Sequence, residues 1–151
     1  MTDAKDTVVI YTDGGCEPNP GVGGWGAILV YRGTERELSG SEPDTTNNRM
    51  EMTAAIAALS ALKRPCKIAL HTDSEYLKKG ITEWMPGWKR RNWQRKGGEI
   101  KNIDLWKQLD ALVQNHEIQW RWVKGHAGVH YNERCDLLAS EAIAREKMGC
   151  G

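Results

Sequence analysis

Hydrophobic and polar positions fall into short extended runs and a few longer helical ones. Thr7 to Asp13 (TVVIYTD) is a β-branched and aromatic run ended by Gly14-Gly15, which predicts a buried strand. A turn-rich stretch follows, Pro18-Asn19-Pro20-Gly21 and Gly23-Gly24. Two more strands are predicted over Trp25–Tyr31 and Arg32–Ser39, the second more polar and nearer a sheet edge. Thr45-Thr46-Asn47-Asn48 is a cluster of capping residues, and the alanine- and leucine-rich stretch Arg49 to Leu62 behind it is the clearest helix. Pro65 closes that helix and Lys67 to Asp73 (KIALHTD) is a fourth strand. Ser74 to Val113 reads as shorter helices interrupted at Gly80, Pro86-Gly87 and Gly97-Gly98. Glu117 to Val123 is a fifth strand with Trp120 and Trp122 on one face. Gly125 to Gly128 is a flexible loop, and His130 to Lys147 a closing helix. The order β-β-β-α-β-(helices)-β-α predicts an α/β fold, a five-stranded mixed sheet flanked by helices on both faces.

Composition narrows this picture without changing it. The 151 residues, 40% of them hydrophobic, suit a single domain spanning 1–151. No apolar run is long enough for a membrane span, and the polar start, Met1 to Asp6, lacks the apolar centre of a signal peptide. Cys16, Cys66, Cys135 and Cys150 form no C-x-x-C pair, which fits reduced thiols and a cytoplasmic location. Cys66 and Cys150 read as packing residues. The net charge of +1 is uninformative, but its distribution is not. Six basic residues (Lys89, Arg90, Arg91, Arg95, Lys96, Lys101) and one acid, Glu99, lie between Lys89 and Lys101. The rest of the chain therefore carries about four net negative charges. A basic block on an acidic body predicts a surface for a polyanion, separate from a site that holds cations.

Two strands end in the same phrase, Tyr11-Thr-Asp13-Gly and His71-Thr-Asp73-Ser. On parallel neighbours both carboxylates would emerge at the carboxyl edge of the sheet, where open α/β sheets bind ligands. Each Asp alone reads better as turn chemistry, and the duplicated phrase brings the two readings level. Glu51 reads alone as the far end of a capping box begun by Asn48, and Asp136 as compensation of a helix dipole. Together they make a different proposition. Four carboxylates in one cleft raise one another's pKa and call for cations. An all-oxygen acidic set selects Mg²⁺ or Mn²⁺ over zinc. Two such ions about 3.5–4 Å apart would activate a water and stabilise the leaving oxygen of a phosphodiester.

Tyr-Thr-Asp13-Gly-Gly-Cys16 with Asn19-Pro-Gly, Thr46-Asn-Asn-Arg-Met-Glu51, Thr-Asp73-Ser, Lys-Gly-His126-Ala-Gly and Asn132-Glu-Arg-Cys-Asp136 occur in that order. From about Val8 to Ala144 the chain resembles the bacterial type 1 ribonuclease H family. The resemblance implies the ribonuclease H-like fold and endonucleolytic hydrolysis of the RNA strand in RNA–DNA hybrids, leaving 5′-phosphate and 3′-hydroxyl ends. It implies metal ligation by Asp13, Glu51, Asp73 and Asp136, and a proton-shuttling role for His126, whose neighbours Gly125 and Gly128 permit movement. Cys16, Asn19, Thr46, Asn47 and Asn48 match positions that line the minor groove, where the 2′-hydroxyl separates RNA from DNA. The interleaved block Trp84, Trp88, Lys89, Arg90, Arg91 and Trp93 resembles the family's basic protrusion, which grips the DNA strand through phosphates and a sugar-facing ring. Read without the resemblance, Trp84 or Trp93 would simply anchor a solvated helix to the core. One position departs: Glu75 stands where the family often has glutamine, and a carboxylate accepts hydrogen bonds without donating them.

Three other readings fit parts of the pattern. His126 and His130 have a helical zinc spacing, but Gly125 and Gly128 disfavour a helix and no thiol or third histidine is nearby. A relative acting on DNA, such as a resolvase or transposase core, would share the fold but not the basic protrusion. A binding module without catalysis gains nothing from concentrated negative charge facing phosphates. The expected enzyme is monomeric. His71 and His116 have no motif around them and are expected to be ordinary structural histidines.

Overall fold

A computed structural model describes residues 6–123 and 130–149. The elements follow in order as β1 (Thr7–Cys16), β2 (Gly21–Tyr31), β3 (Thr34–Thr45), α1 (Asn47–Ser60), β4 (Lys67–Thr72) and α2 (Glu75–Lys79). A π-helical turn (Gly80–Trp84) leads into α3 (Met85–Arg90), then α4 (Ile103–Gln114), β5 (Glu117–Trp122) and α5 (His130–Lys147). The five strands form one mixed sheet in the order β3-β2-β1-β4-β5. β1 pairs antiparallel with β2 and parallel with β4, and β4 is parallel to β5. The two strands that end in Thr-Asp are therefore parallel neighbours, the condition on which their carboxylates meet at one edge.

Alternation along β1 sorts its side chains between two helical layers. Val8 and Ile10 join the main core with α1, α4 and the following strands, around Met52, Leu59, Leu70, Leu77 and the fully buried Trp106. The opposite face carries α5, which packs along β1, β2 and β3.

Several element boundaries differ from those read in the sequence. β2 begins at Gly21, because the glycines taken for a loop pair with β3 across Gly23–Glu42 and Gly24–Ser41. Arg32 and Gly33 form the hairpin turn at positive φ, so β3 starts at Thr34. β3 also runs on to Thr45, since pairing to β2 outweighs its low strand propensity. Gly80 and Pro86-Gly87 do not interrupt the helical segment. Gly80 instead admits Trp106: a Cβ on it would lie 1.9 Å from the indole Cη2. Pro86 sits in the first turn of α3, just after the π-helical turn in which the Met85 N–H reaches the Gly80 carbonyl. The break at Gly97-Gly98 is real, with both residues at positive φ. No helix among the described residues is long and apolar enough to cross a membrane.

Candidate active site

The register of β1 on β4 pairs Tyr11 with His71, so Asp13 and Asp73 each lie two residues further along adjacent parallel strands. The third carboxylate comes from α1. Thr46 caps that helix by accepting a hydrogen bond from the Arg49 N–H (3.2 Å). Glu51 is thus not the partner of an Asn48 capping box; it stands one turn inside the helix. What brings it to the sheet edge is Gly14. A Cβ there would lie 2.5 Å from the Glu51 nitrogen and from the Met50 carbonyl carbon, so only glycine lets α1 rest against the end of β1.

One carboxylate oxygen each from Asp13, Glu51 and Asp73 lies within 4.8 Å of the other two. Asp13 is 5% and Glu51 6% exposed, so the negative charges sit largely out of water. Burial first, then the charges of Asp13 and Asp73, hold the Glu51 carboxyl well above the ordinary carboxylate range. The Gly14 N–H donates to Glu51 and opposes that shift. Glu51 Oε1 is buried without a hydrogen-bond partner. A buried, unpartnered carboxylate oxygen beside two further carboxylates is what a hard divalent cation satisfies, and the all-oxygen donor set suits Mg²⁺ or Mn²⁺. The residues fit a metal centre.

Asp136 lies outside that close group. It is exposed on the second turn of α5. The helix nevertheless passes beside the triad, since Gly26, register partner of Asp13, lies under Cys135 and Ala139. The Cys135 thiol is pushed up to about 12, by burial first and by the Asp13 charge next, and donates to the Tyr11 carbonyl (3.3 Å). His126, and with it the zinc spacing to His130, lies outside the described residues.

A rim of small polar groups borders the triad. Asn19 Oδ1 accepts from the Asn47 N–H (3.0 Å), tying the loop after β1 to the first turn of α1. Cys16 donates its thiol hydrogen between the Pro18 and Thr45 carbonyls, at 3.2 and 3.4 Å. Burial raises its pKa, so Cys16 is a neutral thiol. Thr46, Asn47 and Asn48 are half-buried along the same edge. Glu75 is exposed as the first residue of α2, behind Ser74, which caps that helix through the Leu77 N–H.

The tryptophans of the basic block are more deeply built in than the sequence indicated. Trp84, Trp88 and Trp93 are all half-buried against the core. Trp88 stands 5.9 Å from Trp106 and 6.0 Å from Trp84 between ring centres. Lys89 is ion-paired with Asp110 of α4 (2.9 Å), while Arg90 and Arg91 are exposed. The block is a cationic ridge seated on an aromatic base.

Sequence reasoning passed over a second layer around the site. Arg49 clasps Asp104 with both guanidinium nitrogens (3.1 and 2.9 Å) and also reaches Asn102, joining the start of α1 to that of α4. Its place inside the Thr46–Glu51 motif was a signal that could have been followed. His71 stacks on Tyr11, and Tyr11 on Tyr131, at 4.6 and 4.5 Å. His116 accepts the Cys66 N–H on Nδ1. Burial lowers the pKa of both histidines.

The model of the RNase H family matches residues 5–144. A ribonuclease H of Granulibacter bethesdensis is 61% identical over 143 residues, 94% of this chain and 95% of that protein. Ribonuclease HI of Pseudomonas aeruginosa is 60% identical over 145 residues, 95% of this chain and 97% of that one. Among solved structures, LC9-RNase H1, a type 1 enzyme with the type 2 active-site motif, superposes with a TM-score of 0.83 at 34% identity. That superposition covers 95% of this chain and 75% of LC9-RNase H1. The chain belongs to the ribonuclease H family, and it is a metal-dependent hydrolase.

Proposed function

We propose that this protein is an endoribonuclease that hydrolyses the RNA strand of RNA–DNA hybrids by a two-metal-ion mechanism, leaving 5′-phosphate and 3′-hydroxyl ends. The observation that carries the reading is the triad Asp13, Glu51 and Asp73, the first two buried, with its unpartnered Glu51 oxygen. In this reading the three carboxylates, joined by Asp136, hold Mg²⁺, with Mn²⁺ as a substitute and two ions in the substrate complex. When bound, the ions supply the charge that activates a water and neutralises the leaving oxygen. Asp13 and Asp73 would hold the centre from the ends of β1 and β4, and Glu51 from α1, where little water reaches it. His126 would carry a proton near the leaving group. Cys16, Asn19, Thr46, Asn47, Asn48 and Glu75 are suited to sugar hydroxyls and base edges of the minor groove. Trp84, Trp88 and Trp93, with Lys89, Arg90 and Arg91, would meet the DNA strand. We take the enzyme to be a cytoplasmic monomer.

The test is incubation of labelled RNA–DNA hybrid, duplex DNA and duplex RNA with Mg²⁺, comparing the natural chain with Asp13→Asn. Cleavage is expected only of the hybrid's RNA strand and only by the natural chain. Cleavage of duplex DNA would favour the DNA-acting relative, and activity surviving in the variant would remove Asp13 from the centre.

A further inference from the structure

α5 bears Asp136, and the surface beneath it holds the helix at one polar point, the Cys135 thiol on the Tyr11 carbonyl. Gly24 and Gly26 of β2 form the floor: a Cβ on either would lie 2.5 Å from the Ala139 carbonyl oxygen or 2.7 Å from that of Cys135. A floor of bare backbone lets the helix lie close. Leu138, Ala142 and Ile143 of the helix rest on these glycines, and beyond Cys135 the rotation of its first turns is fixed from the flank.

The flank towards β3 supplies further contacts to those turns. Arg134 extends one guanidinium nitrogen to Glu35 and the other to Glu37, each at 2.7 Å. The Tyr131 hydroxyl donates to the second oxygen of Glu35 at 2.6 Å. The Tyr131 ring stacks on Tyr11, two residues before Asp13 on β1. Three bonds and one stacked ring thus hold the first turns of α5 in rotation and in height along the sheet. Arg134 and Asp136 are two residues apart, roughly 200° around the helix. When Arg134 leaves towards the edge strand β3, Asp136 leaves by the other flank. In the strand order β3-β2-β1-β4-β5 that is the side of Asp13 and Asp73.

We propose that Glu35 and Glu37 are positioning residues for the metal centre: through Arg134 and Tyr131 they set the rotation of α5 and so aim Asp136 at the triad. The inference rests on the reading of Asp136 as a ligand. All three charged groups are partly exposed, so their ion pairs add little stability in themselves. Their effect lies in orientation, as groups that orient metal ligands commonly change affinity more than folding.

The experiment is calorimetric titration of Mg²⁺ into the full chain, its Asp13→Asn variant and the double variant Glu35→Ala/Glu37→Ala, alongside thermal unfolding and the Mg²⁺ dependence of hybrid cleavage. The double variant is expected to bind Mg²⁺ more weakly, on the order of tenfold. Its cleavage should need correspondingly more Mg²⁺, while KM for hybrid at saturating Mg²⁺ stays unchanged. Tyr131→Phe, which keeps the stacked ring and loses one bond, should shift Mg²⁺ affinity the same way by less, and answers the question even if the double variant folds poorly. Unchanged Mg²⁺ affinity with lowered thermal stability would reduce the clamp to a strut and overturn the proposal. Failure of the natural chain to bind Mg²⁺ more tightly than Asp13→Asn would overturn the metal reading itself, and the proposal with it.

Discussion

Glu51 shows how far a single residue's chemistry depends on what surrounds it. In the metal-free protein its carboxyl is held above its ordinary range, so folding favours the protonated form. The sign follows: stability from this group is full below the unfolded carboxylate pKa and declines as pH rises through the folded one. Glu51→Gln removes that penalty. In chelator at neutral pH the variant is expected to melt above the natural chain, with the gap closing as pH falls towards the carboxylate range. Added Mg²⁺ should raise the melting temperature of the natural chain and leave the variant's unchanged. A variant less stable than the natural chain in chelator would mean that the triad's repulsion has been misjudged. Glu75 is a residue of another kind, exposed and defined by what approaches it. Glu75→Gln, restoring a donor, is expected to lower KM with little change in kcat, read from steady-state kinetics on hybrid. An unchanged KM at low salt would show that this side chain meets no substrate group.

At the level of elements, close backbone approach does what strong local preference does elsewhere. Gly14 seats α1 on β1, Gly24 and Gly26 seat α5 on β2, and Gly80 seats the second helical segment on Trp106. The sequence marked Gly80 as a helix breaker, because local propensity is all that a single strand of text contains. In the fold it is a packing position, since Trp106 is fully buried and has no room to retreat. Gly80→Ala is accordingly expected to destabilise the protein by about 1–3 kcal/mol through overpacking, despite raising helix propensity. Urea unfolding measures it, and an unmoved midpoint would refute the packing role. The N-terminus of α1 carries the same lesson: Asn48 and Glu51 have the spacing of a capping box, yet Thr46 caps the helix and Glu51 turns to the site.

Across the whole molecule, charge is divided between two places. The carboxylates collect at the ends of β1 and β4, and the cations lie on α3 and the turn after it. A polyanion can settle on the second without repulsion from the first only if cations occupy the acidic site. Replacing Lys89, Arg90 and Arg91 by neutral residues is expected to raise KM for hybrid strongly and flatten its dependence on salt, with kcat retained. Kinetics at two salt concentrations check this. A fall in kcat alone would place these residues in the chemistry rather than in binding. Lys89 should contribute less than its neighbours, because Asp110 already holds it.

The sequence alone was sufficient for the order of strands and helices and for naming Asp13, Glu51 and Asp73 as candidates for one acidic group. Each of these is written in local pattern or in motifs whose residue types the chemistry demands. Only the tertiary structure decided that Asp13, Glu51 and Asp73 form the close group while Asp136 stands on a separate helix beside it. It also decided that the tryptophans of the basic block are rooted in the core and that Glu35 and Glu37 bind α5. Those arrangements depend on contacts between residues distant in the sequence, such as Trp88 with Trp106 and Glu35 with Arg134, 18 and 99 positions apart. Burial, glycine-permitted approach and sheet register create them jointly, and no local stretch of sequence contains any of the three.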